Sequence, residues 1–408
     1  MQKEYVNYHR HDSFSNIILA DSGASVEDYI NRAKELGHNI LTCTNHGVSA
    51  GWSRMYLACE RAGIKFVYGV EPYIKNSEGK PHHIIMLAKN REGMEDINDA
   101  LSEAAITNFS NRRPYLTKEI IEQFIKPENV IVTTACMGGI LKEESLELFH
   151  FLRQYFKDNL FIEVHNHNVP AQISFNMKAQ MLSAKYGIPL IAANDTHYIY
   201  PKQSVERDDL LAAKRIVYSD DSDDESGWYL DYPDYNTMFE RFVNQGIWTK
   251  EEVETIIDRT MMIKEFEDIV VNKDLKVPSM YPNLSSNERK KKLAEFIQDK
   301  WNEYKVNVDE DKQKVYEEEI ITELKEWFNC DMEDYALTAN HILERGKEKG
   351  GLITKTGRGS SSSYITNMLL GFTTVDRMKA NVPLLMSRFM TADKIIKSHS
   401  TPDTTLVK

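Results

Sequence analysis

Histidines and carboxylates recur in this chain where short apolar runs end. His9 and His11 close the first such run. Residues two apart in a strand face the same side, so both imidazoles address one point. Asp195 and His197 repeat that spacing at the last run. Between these pairs, His46 follows the second run, Glu71 falls in the third and His83 opens the fourth. Cys136 follows the fifth, and Glu163 and His165 lie in the sixth. Imidazole, carboxylate and one thiolate together suit Zn²⁺, Mn²⁺ or Fe²⁺ better than Mg²⁺ or Ca²⁺, which favour oxygen shells. A single H-x-H pair is an ordinary strand-end feature, but two same-face pairs at opposite ends of one array point to a clustered metal site. Chemistry of that kind needs no protein nucleophile. Cys43, inside an apolar run, and Cys59, on a helical stretch, read as core.

These groups meet only if the runs are strands of one sheet. Candidate strands cover 5–11, 39–45, 65–74, 83–88, 129–134, 160–165 and 189–194. They alternate with helical stretches such as 26–36, 51–62, 116–124 and 174–186, whose apolar residues recur at three- and four-residue spacing. Strands alternating with helices predict βα units wound into a barrel or an open parallel sheet. In a βα barrel the strand ends converge on one face, where sites are built.

Beyond residue 205 the texture changes. An acidic run at 219–225 reads as a solvated loop, followed by an aromatic-rich stretch from Trp228 to Phe242 and a helical one at 249–266. Two prolines make 277–282 an extended linker. From 286 to about 350 the pattern is helical and highly charged, and the small-residue loop Thr356-Gly-Arg-Gly-Ser-Ser-Ser-Ser363 then enters a helical stretch. A Gly/Ser loop entering a helix can cradle phosphate with its backbone N–H groups.

Composition sets outer limits. The 408 residues are 41% hydrophobic and 27% charged, as in ordinary globular chains. A formal charge of −12 argues against a protein that coats DNA, though not against one reaching it through a local basic groove or through metal ions. Four scattered cysteines form no disulfide framework. No basic leader precedes an apolar stretch, and no apolar run approaches the roughly 18 residues needed to span a bilayer. A cytoplasmic compartment is the expectation.

The residues that carry the chemistry also carry a resemblance. Tyr8-His-Arg-His-Asp-Ser-Phe-Ser15, Thr44-Asn-His-Gly47, Gly69-Val-Glu-Pro-Tyr73, Ala135-Cys-Met-Gly-Gly139 and the run from Gly187 to Tyr198 resemble the polymerase-and-histidinol-phosphatase (PHP) domain. That domain stands at the head of C-family bacterial and phage replicative polymerases. The resemblance implies a distorted seven-stranded (β/α) barrel binding two to three divalent metals through His9, His11, Asp21, His46, Glu71, His83, Cys136, Asp195 and His197. Glu71 and Asp195 are the expected bridging, catalytic carboxylates, and Arg10 or Lys89 the expected phosphate contacts. Asn45 departs from the Asp common before the family's histidine and reads as a group orienting ligands.

Downstream, Tyr316 to Leu324 and Asp334-Tyr335 resemble the helical lead-in to a polymerase palm. Gly357, Arg358, Gly359, Ser360 and Arg388 match its nucleotide-phosphate loop and neighbouring arginine, and Asp403 its first metal-binding aspartate. Thr405 stands where a second aspartate is usual, so the palm reads as incomplete, with no DNA synthesis expected from this chain alone. The expected organisation is a PHP domain over 1–270 (core 1–205, extension 206–270), a linker at 271–285, and a lead-in with an incomplete α/β palm over 286–408. The implied reaction is phosphodiester hydrolysis, as a 3′–5′ proofreading exonuclease on a DNA primer end. Zn²⁺, Mn²⁺ or Fe²⁺ would serve it, with Mg²⁺, deoxynucleotides, a C-terminal polymerase portion and replisome proteins for a completed polymerase. Rival expectations are a small-molecule phosphomonoesterase of the histidinol-phosphatase kind and a non-catalytic, metal-stabilised scaffold of the replicase.

Overall fold

A computed structural model of the chain describes residues 3–142, 144–215, 227–272, 277–352, 359–382 and 384–398. The chain divides into two compact units, Met1–Val270 and Val271–Lys408.

The first unit is built on β1 (Ile40–Cys43), β2 (Lys65–Val70), β3 (Tyr73–Lys75), β4 (Pro81–His83), β5 (Ile85–Ala88), β6 (Phe109–Ser110), β7 (Arg113–Leu116), β8 (Val130–Thr133), β9 (Leu160–His165) and β10 (Leu190–Ala193). The main sheet runs β1-β2-β5-β8-β9-β10, and a small one runs β4-β3-β7-β6. Helices α1 (Val26–Leu36), α2 (Trp52–Ala62), α3 (Arg91–Thr107), α4 (Lys118–Phe124), α5 (Glu147–Phe156) and α6 (Pro170–Tyr186) are interspersed with the strands. They are followed by α7 (Ser204–Lys214), α8 (Tyr235–Asn244) and α9 (Lys250–Asp258). Helix α1 shows how local sequence sets such elements. Ser25 and Asp28 close a capping box at its start, and Gly37 ends it at φ 70°.

The extended N-terminal segment lies between the two outer strands and closes the sheet. On one side Thr42 Oγ1 donates to Tyr8 O at 2.7 Å and Thr44 N–H to Arg10 O at 3.3 Å. On the other, Thr196 N–H donates to His9 O at 3.1 Å and His11 N–H to Thr196 O at 2.7 Å. The expected first strand is therefore present as a closing segment rather than a regular strand, because threonine hydroxyls replace part of its ladder.

Two further expectations change. The 65–74 run breaks at Glu71-Pro72, where proline lacks an N–H for the ladder, and Tyr73–Lys75 joins the small sheet. Strand β5 pairs antiparallel with both β2 and β8, so the sheet is not purely parallel. The apolar faces of β1, β2, β5, β8 and β9 fill a core with Val70, Met86, Val132, Ile162 and Leu41.

The second unit carries α10 (Ser286–Tyr304), α11 (Glu310–Asn329), α12 (Glu333–Glu348), α13 (Ile365–Leu369) and α14 (Ala392–Ser398). They pack around Trp301, Trp327, Tyr316, Tyr364 and Phe389. No strand occurs among its described residues: the helical stretch expected over 286–350 is present as α10–α12, whereas the expected α/β palm shows only short helices there. The acidic run at 219–225 and Gly357, Arg358, Asp403 and Thr405 lie outside the described residues.

Candidate metal centre

The nine expected ligand positions converge at one end of the barrel. Reversal of β5 explains how His83 arrives there: it ends β4 and stands just before β5, whereas His46, Glu71, Cys136 and Asp195 follow β1, β2, β8 and β10. Two of these turns are held at positive φ, Ala135 at 56° and Asp195 at 52°. Such backbone costs on the order of 1–2 kcal/mol for a non-glycine residue and persists where the surroundings impose it.

Glu71 is the hub. One of its oxygens lies 2.9 Å from His83 Nδ1 and 3.4 Å from His9 Nε2; the other lies 2.5 Å from His46 Nδ1 and 3.7 Å from His11 Nε2. Asp195 Oδ1 lies 3.1 Å from His9 Nε2 and 3.2 Å from His11 Nε2. Asp21 Oδ2 is 3.3 Å from the Nε2 atoms of both His46 and His197. Cys136 Sγ stands 3.8 Å from His83 Nδ1 and 4.0 Å from Glu71 Oε1. Four overlapping triads bring their donor atoms within 4.8 Å of one another: His11/His46/His197, His9/His11/Glu71, Glu71/His83/Cys136 and His9/Glu163/His165.

The electrostatics follow from packing many ionisable groups out of water. Burial alone would raise the Glu71 carboxyl, but His83 and His46 outweigh it and hold it well below its usual range. Burial is likewise overcome at Asp195 by His9 and His197, and at Asp21 by His197 and His46. His46 is drawn up to about 10 because Asp21 and Glu71 override its desolvation, whereas burial and its histidine neighbours push His11 down to about 3. Burial raises the Cys136 thiol well above its normal value.

Do the donors fit a cation? His9 Nε2 and His11 Nε2 are buried and both face the one buried oxygen Asp195 Oδ1, at 3.1 and 3.2 Å. Donor atoms facing one another in this way suit a shared metal, and the mix of imidazole, carboxylate and thiolate suits Zn²⁺, Mn²⁺ or Fe²⁺.

A second layer aims the imidazoles. His9 Nδ1 meets Glu163 Oε1 at 2.5 Å, and His165 Nε2 meets the same oxygen at 2.6 Å. Tyr8 OH donates to Glu163 Oε2 at 3.0 Å, and Thr133 Oγ1 bonds that oxygen too. His11 Nδ1 meets Ser15 Oγ at 2.9 Å, and that hydroxyl donates to Asn45 Oδ1 at 2.8 Å. Asn45 thus orients His11 through Ser15. Sequence reasoning placed Glu163 and His165 at a strand end but left them outside the ligand set, although their two-residue spacing is the signal that marked His9 and His11.

The cluster opens into a cavity of about 560 Å³ that Lys142, Arg207, His167 and Trp228 also line. Of these four, only Trp228 stood in a stretch that the sequence marked, the aromatic-rich one, and none was expected at the site. The expected phosphate contacts are elsewhere. Alternation turns Arg10 away from His9 and His11, and its guanidinium is fully buried 4.2 Å above the Tyr29 ring. Lys89 follows the reversed β5, at the opposite end from the ligands, and bonds Asn159.

In the second unit Gly359 takes φ 67° ahead of Ser360, and Arg388 is exposed. The helix that follows already has an anion at its start: Glu323 accepts from Ile365 N–H at 2.9 Å and Thr366 N–H at 2.7 Å. Those amides do not form the expected phosphate cradle.

Residues 7–167 match the PHP domain family, and residues 291–404 match the bacterial DNA polymerase III alpha NTPase domain. The DNA polymerase III subunit alpha of Aquifex aeolicus is 25% identical over 97% of this chain and 36% of its own length. That of Borreliella burgdorferi is 27% identical over 51% of this chain and 19% of its own. The chain therefore spans between about a fifth and about a third of these relatives. A solved two-domain protein from Bacteroides vulgatus, containing a predicted PHP-like metal-dependent phosphoesterase, is 14% identical with a TM-score of 0.32. That likeness covers 49% of this chain and 53% of the other.

Proposed function

Because the chain belongs to the DNA polymerase III alpha-subunit family, with its PHP domain followed by the start of its polymerase region, we propose that the donor cluster holds about two to three divalent transition-metal ions and hydrolyses phosphodiester bonds at a DNA 3′ end. The proposed ligands are His9, His11, Asp21, His46, Glu71, His83, Cys136, Asp195 and His197, and the proposed role is 3′–5′ proofreading. One observation carries it: the buried Nε2 atoms of His9 and His11 both converge on Asp195 Oδ1, and Asp195 lines the cavity together with Glu71, His46, His83 and Cys136.

Divalent ions bound there supply an activated water and charge stabilisation at the phosphoryl oxygens. The protein's part is to position. Glu71 divides its two oxygens among four histidines, as a bridging carboxylate does, and Asp195 is the second bridging candidate. Lys142 and Arg207 offer positive charge to a phosphate in the cavity. Family membership supports a primer end, deoxynucleotides, Mg²⁺, a C-terminal polymerase portion and other replisome proteins as partners of a completed polymerase, and the cytoplasm as its compartment.

The test is metal analysis of the purified chain together with digestion of 3′-labelled and 5′-labelled single-stranded DNA and of a nucleotide monoester. Expected are more than one bound ion and stepwise loss from the 3′ end. Hydrolysis of the monoester alone would favour a small-molecule phosphatase. Metal without hydrolysis would favour a scaffold, and less than one ion after supplementation would end the metal reading.

A further inference from the structure

The stretch 227–232 belongs to the aromatic-rich region after α7, and it is fastened to the segments that carry the donor cluster. Asn168 N–H donates to Gly227 O at 2.8 Å, Tyr229 N–H to His167 Nδ1 at 3.1 Å, and His197 N–H to Leu230 O at 2.8 Å. Gly227 takes φ 115°, and a Cβ there would stand 2.9 Å from Asn168 O, so only glycine permits this approach. Arg241 lies 4.1 Å over the Tyr229 ring and grips Asp231 at 2.7 and 3.0 Å. The cavity thus has a fixed wall, and its volume of about 560 Å³ falls in the range of small-ligand sites.

On that wall Trp228 is half-buried. A file of rings leads to it from the donor cluster: His9 to His165 at 5.6 Å, His165 to His167 at 5.3 Å, His167 to Trp228 at 5.1 Å. A planar group against Trp228 and a phosphate at the cluster would be two parts of one ligand in one cavity. Lys142 and Arg207 line the same space.

We propose that Trp228, backed by His167, is the stacking platform for the terminal base of the DNA strand whose 3′-end phosphodiester is presented to the cluster. This rests on the phosphodiesterase reading above and adds the part of the substrate that the metal ligands do not read. Indole stacks on any base, so the subsite grips whichever nucleotide stands at the end without selecting sequence. That is the property an exonuclease needs.

The test compares two single-stranded oligonucleotides, one ending in a normal nucleotide and one in an abasic residue. Binding is followed by fluorescence anisotropy in EDTA, and KM is measured with metal restored. The 408-residue chain should prefer the base-bearing end by roughly five- to a hundredfold. Trp228→Ala should lose that preference and Trp228→Phe keep most of it. Equal binding of both ends by the parent, or an undiminished preference in Trp228→Ala, overturns the proposal. If Trp228→Ala fails to fold by circular dichroism, Trp228→Leu against Trp228→Phe decides the same point. A parent that binds with the preference but cleaves neither strand leaves the platform standing and removes the phosphodiesterase reading.

Discussion

His9 and His11 of the centre are each held by the other ring nitrogen, and Glu163 shows what that requires. One of its oxygens serves His9 and His165, the other Tyr8 and Thr133. Burial would raise this carboxyl, but His9 and His165 hold it at about 2. Glu163→Gln keeps the shape yet turns an NH₂ toward groups that donate. Metal affinity, read by isothermal titration with Mn²⁺, should fall about 10- to 100-fold, the usual consequence of losing such a support. His11→Ala and Asp195→Asn should lose most of the 3′-end hydrolysis in a labelled-DNA assay. His150→Ala should keep the parent rate, since that ring lies on α5 against Phe149 and Tyr186. If folded ligand variants digest DNA at the parent rate, the activity lies elsewhere. At this scale the ligand types were legible because H-x-H and D-x-H spacing implies a shared face. Asn45 was legible as a group orienting ligands, but its route through Ser15 was not, since those two residues stand 30 positions apart.

Strand ends and turns deliver these groups, and two of them offer tests. Gly139 follows Cys136, and a Cβ there would lie 2.1 Å from Thr134 O and 2.8 Å from Cys136 O. Backbone cannot yield as a side-chain tip can, so Gly139→Ala should cost about 1–3 kcal/mol in urea unfolding and displace the thiol. A neutral result would show the turn to be pliable. At the end of α1, His38 is buried with its Nδ1 2.8 Å from Tyr232 OH, and desolvation lowers it to about 4 from 6.5. The unfolded chain therefore takes up this proton first. Stability from His38 is complete above pH 6.5 and lost as pH falls toward 4, by up to about 3 kcal/mol. His38→Asn should flatten that limb of a stability-against-pH curve. Helix positions were readable from the periodicity of apolar residues, whereas the reversal of β5 was not. An apolar run carries no mark of its direction.

At the scale of the whole molecule, charge and metal dominate. The chain is formally −12, and the cavity-lining cations named here are Lys142 and Arg207. A strand held there neutralises few phosphates, so log K against log salt should have a slope of roughly −1.4 for two contacts on single-stranded DNA. A slope several times steeper would mean that binding runs over another surface. Metal bound to the folded cluster at about a hundred times its Kd should add about 2.7 kcal/mol to stability. Thermal unfolding with and without EDTA reads this, and an unchanged midpoint would argue that the cluster binds no metal.

By itself the sequence determined the inventory: which side chains could bind metal, their strand-end positions, and the helices between. Those follow from short-range rules, the two-residue period of strands and the apolar spacing of helices. Only the tertiary structure decided which groups share a space. It placed His83 at the centre by reversing β5, turned Arg10 inward to Tyr29, sent Lys89 to the far end, and occupied the α13 amides with Glu323. It also carried the Trp228 wall back across the cluster through bonds to Asn168, His167 and His197. Such contacts join residues tens to hundreds of positions apart, and no local pattern encodes a partner at that distance.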